Sequence, residues 1–158
     1  MKPLLMTWLL ICMQYAMCAQ KNTFNLNSDS VHVGQTLTTY RIFFVLGKAP
    51  LKPESTPFLD SLTAFLQQHP GVSLEIGVHS DNRANPRCCD HPTLNRAESI
   101  RIYLVQKGIA MERLSTMGYG DKKLLISDAE ILKAKTKEEK EALHAKNRRV
   151  EFKILRVN

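Results

Sequence analysis

A strict two-residue alternation in the middle of the chain does most to limit what it can become. Val72, Leu74, Ile76 and Val78 are apolar, while Ser73, Glu75, Gly77 and His79 between them are polar or small. Side chains alternate across a strand, so this run is a β-strand with one covered face. The flanking segments show what covers it. Upstream, Phe58, Leu59, Leu62, Phe65 and Leu66 recur at helical spacing. They follow Ser55-Thr56-Pro57, where Thr56 is placed to cap and Pro57 falls at the first helical position. His69-Pro70-Gly71 stops that helix. Downstream, Ala97, Ile100 and Leu104, joined by Tyr103, make the apolar face of a second helix. Thr93 is its candidate cap and Gly108 its stop.

The remaining elements follow from the same rules. Tyr40 to Val45 is β-branched and aromatic and predicts a buried first strand, with a Gly- and Pro-bearing loop from Leu46 to Glu54. A short strand is expected around Leu114 to Met117, closed by Gly118-Tyr119-Gly120. Asp128 to Lys146 predicts an exposed helix in which Lys135/Glu139 and Lys137/Glu141 are opposite charges four apart. The last strand, Arg149 to Leu155, turns Val150, Phe152 and Ile154 inward. Strand and helix thus alternate through four strands, which favours an α+β sandwich with helices on one sheet face. A chain of 158 residues can give this a real core in a single domain.

The N-terminus reads as a targeting segment. Lys2 precedes a short apolar run through Met13, and Ala16, Cys18 and Ala19 follow. That is a basic region, an apolar region and small residues at a cut site. The run is shorter than the roughly 20 residues of a membrane span. An export signal over 1–19 is expected, then a polar, loose lead-in over 20–38 and the domain over 39–158. Cleavage after Ala19 leaves Gln20 first. Cleavage before Cys18 would make a lipoprotein, although Met17 fits poorly beside a lipidated cysteine. Beyond the signal the cysteines are Cys88 and Cys89, and two adjacent thiols cannot staple distant segments. The formal charge is +7, and +6 once Lys2 is removed. A basic surface suits an anionic partner or is simply solvated. No basic run of nucleic-acid type occurs, so no nucleic acid is expected.

At the level of motifs the chain from about Tyr40 to Leu155 resembles the OmpA C-terminal domain. His79-Ser80-Asp81-Asn82-Arg83 stands where that family has a His-Thr-Asp loop, and Arg96-Ala97 opens its second helix. Lys107-Gly108-Ile109, Arg113-Leu114, Gly118-Tyr119-Gly120 and Asn147-Arg148-Arg149-Val150-Glu151-Phe152 follow in order. The charged insert before Asn147 is similar to the branch found in Bacteroidetes-type bacteria. The resemblance implies helices on one face of a mixed four-stranded sheet, with an extra helical insert before the last strand. It implies non-covalent binding of peptidoglycan in the periplasm or at the outer membrane, with no catalysis, cofactor or small-molecule substrate. It also carries the ligand contacts onto Asp81 and Arg96, and further onto Ser80, Asn147 and Arg148.

Physics supports that pair separately. The diaminopimelate side chain of a stem peptide is a zwitterion, best held by one fixed anion and one fixed cation. Asp81 at a strand end offers the first, and Arg96 offers a planar fork in what is expected to be the first helical turn. The alternative for the pair is an internal salt bridge tying loop to helix. For Arg148 and Arg149 it is pairing with Glu151 or the insert helix.

The sequence also departs from the family pattern. Val78 stands where Gly is usual, Ala84 near another Gly, Cys89 at an Asn position, Pro92-Thr93 at Leu-Ser, and Val45-Leu46 where many members have an acid. A domain that keeps the fold but serves as a structural or partner-binding unit is therefore the second reading. A third draws on His79, Asp81, Cys88, Cys89, Asp90 and His91 as metal ligands. Adjacent cysteines seldom both reach one ion, however, and no His-Glu pair at helical spacing supports a metal-dependent hydrolase.

Overall fold

The computed structural model describes residues 22–83 and 92–157. The expected export signal, Cys18 and the stretch with Cys88 and Cys89 lie outside them. Its elements are β1 (Thr36–Thr39), α1 (Thr56–Gln68), β2 (Ser73–His79), α2 (Pro92–Gln106), β3 (Leu114–Gly120), α3 (Asp128–Leu132), α4 (Lys137–Asn147) and β4 (Val150–Arg156). The four strands form one sheet in the order β1-β4-β2-β3. β4 runs antiparallel to both β1 and β2, while β2 and β3 are parallel, so the sheet is mixed, as expected.

The core forms where the periodicities place it. Leu74, Ile76 and Val78 of β2 and Val150, Phe152 and Ile154 of β4 are buried with Leu59, Leu62, Phe65 and Leu66 of α1 and Ala97, Ile100 and Leu104 of α2. Gly108 ends α2 at φ 91°, a conformation that only glycine adopts without strain. Arg113 then ties the halves together. Its guanidinium donates to the carbonyls of Leu66 and His69 at the end of α1 and to Val72, each at 2.8 Å.

Four local expectations change. The first strand is Thr36–Thr39 rather than Tyr40–Val45. The latter segment bonds locally instead: the Ser55 hydroxyl donates to Phe43 O and accepts from Phe43 N, and Lys52 N and Val45 N bond to Phe43 O and Pro50 O. That use of Ser55, and entry to α1 through a 3-10 turn at Pro53–Ser55, leave α1 without a side-chain cap. Thr93 lies inside α2 rather than capping it, and its Oγ1 accepts from Gly120 N at 3.2 Å. The 22–35 segment is packed, with Phe24 stacked on Phe65 and Val31 buried.

The insert is two helices rather than one. Ser127/Glu130 and Thr136/Glu139 each close a reciprocal capping box. The second box starts a new helix at Lys137, so the Glu139 carboxylate accepts the backbone N–H groups of Lys135 and Thr136 in place of the expected side-chain ion pair with Lys135.

Candidate functional site

Topology brings the candidate residues to one end of the sheet. β2 ends there at His79, β4 begins there at Val150, and Thr39 at the end of β1 pairs with Val150. The 80–83 loop, the start of α2 and the end of α4 meet at the same edge.

Asp81 is the anion of this end, and its side chain is only 7% exposed. Its Oδ2 accepts from Arg83 Nη2 at 2.7 Å, Arg83 Nε at 3.2 Å and Arg148 Nη1 at 2.7 Å. Among the described residues, Oδ1 accepts only the Arg83 backbone N–H, at 3.2 Å. His144 Nδ1 lies 4.0 Å from Oδ2. Burial pushes the Asp81 carboxyl up, but the hydrogen bonds from Arg83 and Arg148 outweigh it and leave the group below its ordinary value. Asp81 therefore stays ionised, with lone-pair room on Oδ1. The described ion pairs of Asp81 run to Arg83, Arg148 and His144, so the salt bridge that ties this loop goes to the end of α4 in the insert rather than to Arg96.

Arg96 lies beside this cluster. It is in the second turn of α2, not the first, because the helix begins at Pro92. Its Nε donates to Lys48 O at 3.2 Å, and its guanidinium sits over the Phe44 ring at 5.1 Å. A cavity of about 600 Å³ opens here, lined by Tyr40, Phe43, Phe44, Val78, Arg96 and Arg148 among others. Apolar side chains line it together with three arginines, Arg96, Arg148 and Arg149, and Arg148 links it to Asp81.

The other expected contacts sit differently. Ser80 is buried, and its N–H donates to Gly120 O at 2.9 Å. Asn147 is fully buried. Its Oδ1 accepts from Leu125 N and Ile126 N, and its Nδ2 donates to Ile126 O, all at 2.9 Å. It fixes the loop before α3 and so the place where Arg148 leaves α4. Arg149 Nε donates to Glu151 at 2.7 Å, which is the pairing weighed for it in the sequence.

The sheet face away from α1 and α2 is polar. Tyr119 stacks on His79 at 4.7 Å and donates to Glu75 at 2.6 Å, and Lys123 sits over its ring at 3.8 Å. Glu151 lies 3.3 Å from His79 Nε2. The His79 ring beside it, then the hydrogen bond from Arg149, holds the Glu151 carboxyl down to about 2, against an ordinary 4.5. A carboxyl depressed on folding adds stability above its unfolded value and loses it as pH falls toward the folded one. Between pH 5 and pH 2 the protein should therefore lose about 2 kcal/mol more than Glu151→Gln does. Denaturant unfolding of both proteins across that range checks the difference in slope.

Two residues of this site were not singled out by sequence reasoning. Arg83 stood in the quoted loop motif without a role. Glu141 was matched to Lys137 by helical spacing, but it bonds to Arg83 Nη1 at 2.8 Å and Arg148 Nη2 at 2.7 Å. Those hydrogen bonds, Arg83 first, hold its carboxyl down to about 2. No local signal marks a partner 58 residues away. Cys88, Cys89, Asp90 and His91 of the metal reading lie outside the described residues.

Comparison with known proteins places this geometry. The model of the OmpA family matches residues 43–139. Outer membrane protein P5 of Haemophilus influenzae is 30% identical over 132 residues, which cover 84% of this chain and 34% of that protein. The peptidoglycan-associated lipoprotein of Pasteurella multocida is 27% identical over 68% of this chain and 65% of its own length. Among solved structures, a MotB-like protein from Desulfovibrio vulgaris superposes with a TM-score of 0.60 at 24% identity, covering 77% of this chain and 74% of that one. The chain thus spans about a third of the length of outer membrane protein P5.

Proposed function

Because the chain belongs to the OmpA family, we propose that it binds peptidoglycan without covalent attachment, by holding the diaminopimelate side chain of the stem peptide. The observation that carries this reading is the cavity lined by both Arg96 and Arg148, with Arg148 fixed on the buried Asp81 carboxylate. A ligand ammonium would approach Asp81 Oδ1, which keeps lone-pair room. A ligand carboxylate would meet the guanidiniums at the cavity wall. Charge-assisted hydrogen bonds of this kind contribute roughly 1.5–3 kcal/mol each, which after the cost of association suggests a Kd of about micromolar to millimolar. A wall of repeated sites converts such weak contacts into firm retention.

The setting proposed is the periplasm or the outer membrane, reached through the signal at 1–19; cleavage before Cys18 in place of the cut after Ala19 would make the chain a lipoprotein. No helix among the described residues is long and apolar enough to cross a membrane. The two-helix insert is the feature that would place the chain in the Bacteroidetes-type branch. A second reading, an OmpA-type domain serving as a structural or partner-binding unit, is favoured by the ion pairs that already engage Asp81 and Arg148.

Retention on purified sacculi separates the readings. The wild type should sediment with them, while Asp81→Ala and Arg96→Ala should each bind about 10-fold to 100-fold more weakly, at the loss of one charged contact. A wild type that stays in solution, or two variants that bind as it does, would leave the partner-binding reading standing instead.

A further inference from the structure

We propose that Arg83 and Arg148 form a carboxylate clamp, and that Glu141 of α4 occupies it as an internal stand-in for a ligand carboxylate. The inference rests on the cavity lined by Arg96 and Arg148 being the ligand site. Each guanidinium is held from beneath by Asp81 Oδ2, through Arg83 Nη2 and Arg148 Nη1 at 2.7 Å. The remaining N–H groups then converge outward. Arg83 Nη1 donates to Glu141 Oε2 at 2.8 Å, and Arg148 Nη2 donates to Glu141 Oε1 at 2.7 Å. One carboxylate thus bridges two forks, with each oxygen taking an N–H from a different arginine. This is the geometry in which guanidinium pairs grip a ligand carboxylate.

The two acids of the cluster are not equivalent. Asp81 is 7% exposed at its side chain and orients the forks, whereas Glu141 is 51% exposed and lies at the solvent side. A solvent-exposed ion pair is weakly held and exchanges with competing ions. Helical spacing also offers Glu141 the exposed Lys137 as a solvated partner, yet its carboxylate turns to the two arginines instead. Because Arg148 also lines the cavity, a ligand carboxylate entering it meets the same guanidinium and competes with Glu141. Arg83 becomes a binding residue in this account, and Glu141 sets the affinity threshold.

Titration with free meso-diaminopimelate, read on the side-chain Nε–H resonances of the arginines in the full protein, tests this. Glu141→Gln and Glu141→Ala should bind the probe about 3-fold to 10-fold more tightly than the wild type. The Arg83 and Arg148 resonances should shift in both, and adding Arg83→Gln should cancel the gain. If the Glu141 variants bind no more tightly, or if neither arginine responds in any of the proteins, the clamp is overturned. Sacculus retention of the wild type reports separately on the function proposed above. Sedimentation without a gain in Glu141→Gln removes the clamp alone. A gain on the free amino acid without sedimentation keeps the clamp and removes peptidoglycan as the partner.

Discussion

Asn147→Ala should lower the unfolding free energy by about 3 kcal/mol, a larger loss than removal of any surface charge in the cluster. The side chain is fully buried and makes three hydrogen bonds, two accepted from Leu125 N and Ile126 N and one donated to Ile126 O. At about 1 kcal/mol each these sum to the expected loss, with the two amides left to find water. Asn147→Asp keeps the acceptor bonds and should fall between alanine and the wild type. Hydrogen exchange gives the local readout, since the Leu125 and Ile126 amides should lose protection in Asn147→Ala. The effect on ligand binding then follows from position. Arg148 leaves α4 immediately after this anchor, so weaker sacculus retention in the variant should track displacement of Arg148. If Asn147→Ala unfolds as the wild type does while binding is lost, the side chain is a ligand contact and not an anchor.

That contrast shows what could be read in the sequence. Patterns of period 2 and 3.6 located β2, β4 and the buried faces of α1 and α2, because burial on one face is a property of the segment itself. The first strand was read about four residues too late. Tyr40 to Val45 has strand composition, but Ser55, twelve residues beyond Phe43, captures its backbone. The break in the insert was available in principle, since Ser127-Asp128-Ala129-Glu130 and Thr136-Lys137-Glu138-Glu139 both fit the capping-box pattern. The acidic and basic members of the candidate site were legible through the motif order. Their pairing was not, because Arg83, Arg148 and Glu141 meet only when α4 folds back over the 80–83 loop. Nor could the sequence show that Asn147 faces inward, since one polar residue at a helix end serves equally as contact or anchor.

Gly118→Ala should cost about 3 kcal/mol, which in a domain of this size lowers the melting temperature by about 10 °C. A Cβ at this position would lie 2.5 Å from Leu94 N, 2.8 Å from Thr93 Oγ1 and 2.9 Å from Leu94 Cα, well inside the 3.4 Å at which ordinary contact begins. Two of these atoms are backbone of the first turn of α2, so relief requires the helix to move off β3. The motion also breaks the bond from Gly120 N to Thr93 Oγ1 and carries Arg96, two residues beyond Leu94 in α2, away from Phe44. Gly120→Ala is the informative companion. Gly120 has open space around its Cβ position but sits at φ 56°. Its cost is the left-handed backbone alone, about 1 kcal/mol. Thermal unfolding should therefore rank the two variants with Gly118→Ala the less stable, and only that variant should also lose sacculus retention through the displaced Arg96. The reverse order would mean that α2 yields easily at its first turn, and that close approach of helix to strand is not what the first glycine of Gly118-Tyr119-Gly120 provides.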